Sequence, residues 1–183
     1  MILSESDINQ RIGRFPINET RCFTAHPSTS VFLSHKHTER NLMLKIKTLL
    51  EHLGISVYID WLDERMTAST SGRTAQILKQ KIREYDKFIL VATDGAIDSK
   101  WCNWELGLGD AEKYNKDKIA LFPIRQENRN WSGAEYLQIY PTIEYFDRQM
   151  VLDGKITPAG YYICYPPIAG RRNLISIENW FLK

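Results

Sequence analysis

The chain has 183 residues, 43% hydrophobic and 25% charged, a composition that supports one folded core and excludes wholesale disorder, a fibrous repeat and two full domains. Its 24 Lys and Arg against 22 Asp and Glu leave a net charge of +2, too near balance for a nucleic-acid footprint or a polybasic membrane anchor. No apolar run approaches the roughly 20 residues of a membrane span, and residues 1–30 lack the layout of a signal peptide, so a soluble, cytoplasmic protein is expected.

From Val31 onward short apolar runs alternate with helical patterns, as in βαβ units around a mostly parallel sheet. Val31–Ser34 reads as the first strand. Leu42, Ile46, Leu49, Leu50 and Leu53 follow at helical spacing, with Thr38 as N-cap and Gly54 where a left-handed residue is wanted. Ile55–Ile59 reads as the second strand because β-branched and aromatic side chains dominate it. Asp63–Thr74 is polar and predicts a loop. Ala75, Leu78, Ile82 and Tyr85 then mark a helix, and Phe88–Ala92 a third strand without a polar face, which belongs at the centre of a sheet covered on both sides.

From Ser99 the helix signal resumes, with Trp101, Trp104, Leu108 and Ala111 predicted as its apolar stripe. Ile119–Phe122 is the fourth strand, ended by Pro123, which donates no ladder hydrogen bond. Arg125–Tyr140 reads as a loop with one helical turn, and Thr142–Phe146 as the fifth strand. Beyond it, Val151–Ile156 carries the Asp-Gly centre of a hairpin, Tyr161–Tyr165 a further strand, and Leu174–Leu182 a closing helix with Leu174, Ile177 and Phe181 inward. Cys22, Cys102 and Cys164 are odd in number and far apart, and reduced thiols are expected.

Five short strands with helical crossovers predict a flavodoxin-like order, 2-1-3-4-5. Ligands of such sheets bind beyond the carboxyl ends of the strands, at the switch point between strands one and three. The segments leaving those strands are Ser34–His37 and Thr93–Glu105. On its helix Glu105 is flanked by Trp101, Cys102 and Leu106, an apolar setting for a carboxylate, and it lies too far from Ser99 to serve in a capping box. A plain alternative is a carboxylate at the stripe edge, paired with Lys100 or Lys113.

The string Ser99-Lys100-Trp101-Cys102-Asn103-Trp104-Glu105-Leu106 resembles the third signature of Toll/interleukin-1 receptor (TIR) domains, with its Trp-Cys-x-x-Glu-Leu core. Val31–His35 resembles the first box of that family. Gly54–Trp61, with the polar loop after it, resembles the second. Order and spacing agree over residues 31–147, which defines a TIR domain between an N-terminal extension, 1–30, and a C-terminal extension, 148–183, packing on it. The resemblance implies that Glu105 is the essential carboxylate of an NAD glycohydrolase or cyclase, releasing nicotinamide and ADP-ribose or a cyclic ADP-ribose signal in bacterial immunity. NAD is then substrate and no cofactor is called for. Nicotinamide leaves as a neutral molecule without acid assistance, so the demand on the site is stabilisation of an oxocarbenium-like ribose.

Under that reading the substrate contacts are Ser34 and Asp60 on ribose or phosphate, Lys36 and Arg73 on the diphosphate, and Trp101 and Trp104 on the pyridinium ring. His35 and Trp61 complete the set. Each has a plain structural alternative: core packing for the tryptophans, turn formation for Ser34 and Asp60, solvation for Lys36 and Arg73. A zinc site at His35 and His37 lacks further ligands at suitable spacing. Met66–Thr74 departs from the family, lacking the Pro-Gly or Gly-Asp-Ser of its loop. Self-association through residues 62–74 and a downstream effector of the product are implied partners, with no nucleic acid or membrane. Two competing readings remain open, a non-catalytic TIR interaction module and a nucleoside deoxyribosyltransferase-like enzyme.

Overall fold

A computed structural model describes residues 1–13, 29–63, 71–152, 155–167 and 173–183. In chain order the elements are β1 (Leu3–Ser4), α1 (Glu5–Ile12), β2 (Ser30–Ser34), α2 (Arg40–His52), β3 (Ser56–Tyr58), α3 (Gly72–Glu84), β4 (Lys87–Ala92), the one-turn α4 (Asp94–Ile97), α5 (Lys100–Lys113), β5 (Ile119–Arg125), β6 (Thr142–Phe146), β7 (Met150–Leu152), β8 (Lys155–Thr157), β9 (Gly160–Cys164), β10 (Leu174–Ser176) and α6 (Ile177–Phe181). Short 3-10 turns cover Asp60–Leu62 and Glu135–Ile139.

The sheet runs β10-β9-β6-β5-β4-β2-β3. From β3 to β6 every pairing is parallel, and these five strands stand in the expected flavodoxin-like order. The C-terminal strands β9 and β10 add to β6 in antiparallel fashion, while β1 pairs with the end of β5 at Ile124 and Arg125. Alternate residues of one strand feed opposite cores. Val31, Leu33, Ile89 and Val91 meet α2 and α6 on one face, whereas Phe32, Phe88, Leu90 and Ala92 meet α3 and α5 on the other. The connections after β2 and β4 therefore leave on opposite faces and open a crevice between their carboxyl ends. No helix among the described residues is long and apolar enough to cross a membrane.

Several local expectations are corrected. Thr38 caps nothing: α2 starts after Glu39, whose carboxylate accepts the Thr93 hydroxyl at 2.8 and 3.0 Å, so the helix has no side-chain cap. Gly54 is left-handed as predicted, with φ at 78°. Thr74 lies inside a helix, because the Ser71 side chain accepts the Thr74 N–H and starts α3 at Gly72. Pro123 does not end its strand. It falls where the neighbour of β5 changes from β6, paired at Leu121, to β1, paired at Ile124, so its missing N–H breaks no run of bonds.

The C-terminal helix is also shorter than predicted. Leu174–Ser176 instead forms a strand paired antiparallel with β9, and the Ser176 side chain then caps α6 by accepting the Asn179 N–H. Ile177 and Phe181 point inward as expected, joined by Trp180, while Leu174 is half-buried. β7 and β8 form the predicted hairpin, whose Asp153 and Gly154 lie outside the described residues. Trp180 lies under the buried Lys87, with Nζ 4.5 Å from the ring centroid, and the Thr29 hydroxyl donates to the Phe181 carbonyl at 2.7 Å.

Candidate active site

α5 carries the site. It is capped by Ser99, which accepts the Cys102 N–H, and it buries Cys102, Glu105, Leu106, Gly109 and Lys113. The stripe predicted from its bulky residues is thus wrong by a rotation: Trp104 is 36% exposed, Trp101 and Leu108 are half-buried, and Ala111 is exposed. The reason is proximity to the sheet. A Cβ on Gly109 would stand 2.9 Å from the Phe88 ring, so the face that approaches β4 must be the one with glycine on it. Trp101 and Trp104 pack on each other instead, with centroids 5.1 Å apart.

That rotation drives Glu105 inward, to 3% exposure. Ser34, at the carboxyl end of β2, donates its hydroxyl to Glu105 Oε2 at 2.5 Å. The stripe-edge alternative, a pairing with Lys100 or Lys113, does not occur; Lys113 Nζ donates to the Arg83 and Tyr85 carbonyls instead. Burial pushes the Glu105 carboxyl up to about 8, aided by the charge of Asp60, while the Ser34 bond and His37 work in the opposite direction.

The loop after β3 supplies the second half. Asp60 is buried and accepts the Trp61 backbone N–H at Oδ1, at 2.8 Å, and His37 Nε2 at Oδ2, at 2.9 Å. Burial works to raise the Asp60 carboxyl, but the bond and charge of His37, with the Trp61 backbone N–H, outweigh it and hold the group below its ordinary range. The Trp61 indole N–H donates to His35 Nε2 at 2.8 Å, and His35 Nδ1 donates to the Leu33 carbonyl at 3.0 Å. Both ring nitrogens of His35 are therefore committed, and burial lowers its pKa, so the ring is neutral. Its 3.6 Å approach to Asp60 is accordingly no ion pair, and neither nitrogen is left to ligate a metal.

The structure thus brings together Ser34, His35, Asp60, Trp61 and Glu105. Lys36 turns away, its Cγ lying near Gly95 and its charge acting on Glu39. Arg73 is exposed in the first turn of α3 and bonds to none of these groups. Trp101 flanks the site with its Nε1 buried and unpartnered. Cys102 donates its thiol to the His35 carbonyl at 3.2 Å, and burial pushes that thiol up to about 11, which makes it an inert clamp between α5 and β2. His37 is the member of the site that sequence reading passed over; only its spacing from His35 marked it.

A cleft of about 840 Å³ opens beside His37, lined by Glu5, Glu39, Arg40, Asp94, Arg125 and Glu127 among others. Glu105 is not in its wall, and its carboxylates outnumber its arginines, so it suits a diphosphate poorly.

A family profile described as TIR domain matches residues 31–153, well over half of the chain. Over 117 residues the chain is 31% identical to a protein of Bacillus cereus (strain MSX-D12) named "Probable 3' cyclic ADP-D-ribose synthase ThsB'", covering 62% of this chain and 59% of that protein. It is 30% identical over 118 residues to a protein of Cytobacillus dafuensis provisionally named a cyclic ADP-D-ribose synthase, TIR2, covering 56% of this chain and 31% of that one. The chain thus spans less than two thirds of the length of either relative. The profile's span contains β2 with Ser34, the turn after β3 with Asp60, and α5 with Glu105, and on that match this chain belongs to the TIR domain family.

Proposed function

We propose that the chain cleaves the nicotinamide–ribose bond of NAD and closes the remaining ADP-ribose into a cyclic product. The observation that carries this reading is a carboxyl group fully buried at the switch point of the sheet, held by Ser34 and with no cation bonded to it among the described residues. A merely structural glutamate in that position would cost stability for nothing. The family relatives, both named cyclic ADP-ribose synthases, support the choice of reaction.

The steps balance without a cofactor. The C1′–N bond breaks and its electron pair leaves with nicotinamide, which departs neutral. Positive charge appears on the ribose, where the Glu105 carboxylate stabilises it in surroundings of low dielectric. A hydroxyl of the same ADP-ribose closes the ring, or water yields open ADP-ribose, and in both cases one proton is released; closure by a ring nitrogen instead keeps the positive charge on the base and releases none. Glu105, with its affinity for a proton raised, is the acceptor nearest the reaction. Ser34 orients the carboxylate, and the Trp101–Trp104 pair offers an aromatic face to the pyridinium ring.

The test is incubation of the purified chain with NAD, with nucleosides and with neither, followed by chromatography and mass spectrometry. Nicotinamide and a product lighter than ADP-ribose by one water are expected from NAD alone. Transfer between nucleosides would point to the deoxyribosyltransferase alternative, and inertness toward both to the interaction module. Self-association through residues 62–74 belongs to the same proposal; of that segment, residues 64–70 lie outside the described residues. Specific activity is then expected to rise with protein concentration, and constancy from a monomer across a wide dilution series would remove this part.

A further inference from the structure

His37 stands three positions beyond Ser34, and its ring lies over that of His35, with centroids 5.6 Å apart and 18° between planes. Its side chain is 47% exposed, whereas that of Asp60, to which it bonds, is 5% exposed. The charged groups around it come from every neighbouring element. Asp60 follows β3, Glu105 lies on α5, and Arg40 opens α2; the first two favour the imidazolium and Arg40 opposes it. On its outer side the cleft presents Glu5, Glu39, Arg125 and Glu127.

The difficulty this arrangement meets is electrostatic. Asp60 and Glu105 are both buried and each disfavours ionisation of the other, because like charges at close quarters in low dielectric repel. Asp60 is held ionised by its hydrogen bonds, so the whole penalty falls on Glu105. His35 offers no relief, being neutral with both nitrogens bonded. Among the described residues, His37 is the one cation whose charge favours an ionised Glu105.

Given the reading of Glu105 as the reacting carboxylate, we propose that His37 is a positioning residue of the reaction: bonded to Asp60 at 2.9 Å, it neutralises the first carboxylate so that the second ionises. The pair thereby joins the strand that carries Ser34 to the turn after β3, and sets the charge of the site from a place that solvent reaches. Removing the imidazole leaves Asp60 a buried anion without its counterion, facing a Glu105 that then keeps its proton. A glutamine at position 37 restores a hydrogen-bond donor to Asp60 but not the charge, so it separates geometry from electrostatics.

The test reads Glu105 directly. In the full chain with 13C-labelled glutamate, the Glu105 carboxyl resonance, identified by its loss in Glu105→Gln, is titrated in wild type, His37→Ala, His37→Gln and the double variant Asp60→Asn/His37→Ala. In both single variants the midpoint is expected to rise by about one pH unit, a tenfold smaller ionised fraction at neutral pH, and in the double variant to return toward or below the wild-type value. With NAD, kcat of the single variants at pH 7 should fall roughly tenfold while KM changes less than about twofold, and the kcat profile should move to higher pH with the midpoint. An unmoved midpoint in either folded single variant overturns the proposal, even if activity is lost, and so does a moved midpoint with an unchanged kcat profile. A wild-type protein that releases no nicotinamide removes the NAD reading instead, and the titration then decides the role of His37 alone.

Discussion

Glu105 illustrates how a functional residue works against the fold that holds it. Its carboxyl is raised from 4.5 to about 8, so the folded state prefers the protonated form. The corresponding contribution to stability is present in full below the unfolded value near 4.5 and is lost as pH climbs through about 8, at about 1.4 kcal/mol per pH unit between the two values. Glu105→Gln is therefore expected to match wild type in thermal unfolding at pH 4 and to melt at higher temperature at pH 9. The same variant should lose on the order of a hundredfold or more in NAD turnover, since the group that meets the developing charge is gone. An active, unstabilised Glu105→Gln protein would remove the residue from its assigned role. Wild-type kcat should rise with pH through about 8 as the carboxylate forms. The anomaly of Glu105 was legible in the sequence because helix geometry alone sets its flanks. His37 was not, because its significance depends on Asp60, which arrives from a different strand and only through the sheet.

At the scale of the element, α5 shows why bulk is a poor guide to which face of a helix is buried. Counting large apolar residues selected Trp101, Trp104, Leu108 and Ala111, whereas the helix turns Cys102, Leu106 and Gly109 to the sheet. Large side chains hold a helix away; the small residue decides where it comes close. Gly109→Ala gains roughly 1 kcal/mol of helix propensity and loses more, because the new methyl meets the Phe88 ring at 2.9 Å. A net destabilisation of about 1–3 kcal/mol in urea unfolding is expected, with reduced turnover as Glu105 is displaced from Ser34. If the variant is as stable as wild type, the close approach is not what seats the helix. The strands were read more surely than the helix ends. β4 is apolar throughout and buried throughout, so its place at the centre followed from composition. Thr38 and Pro123 were misread because each is a local signal overruled by a distant partner, Thr93 claiming the neighbouring carboxylate in one case and β1 completing the strand in the other.

For the whole molecule, the residues beyond the fifth parallel strand form part of the sheet. β9 pairs with β6 along five residues, and Ile163, Ile177, Trp180 and Phe181 share the core that α2 covers. Truncation after Asp147 strips these groups away and leaves Lys87 buried without its aromatic partner. The shortened protein is expected to be insoluble or to unfold at markedly lower temperature, and a soluble, active 1–147 fragment would show the tail to be dispensable. The sequence reading expected the aromatic tail to pack on the domain, yet strand direction was beyond it, since antiparallel addition to β6 depends on where the chain returns after the hairpin.

The antiparallel addition also determines where the sheet stops. Its two outermost strands, β3 and β10, are three residues each. An open edge recruits further strands in proportion to the length of unpaired backbone it offers, and a run this short offers little. Strand-to-strand pairing between copies at β3 or β10 is therefore disfavoured, which leaves side chains and loops as the means by which copies would meet at those two edges.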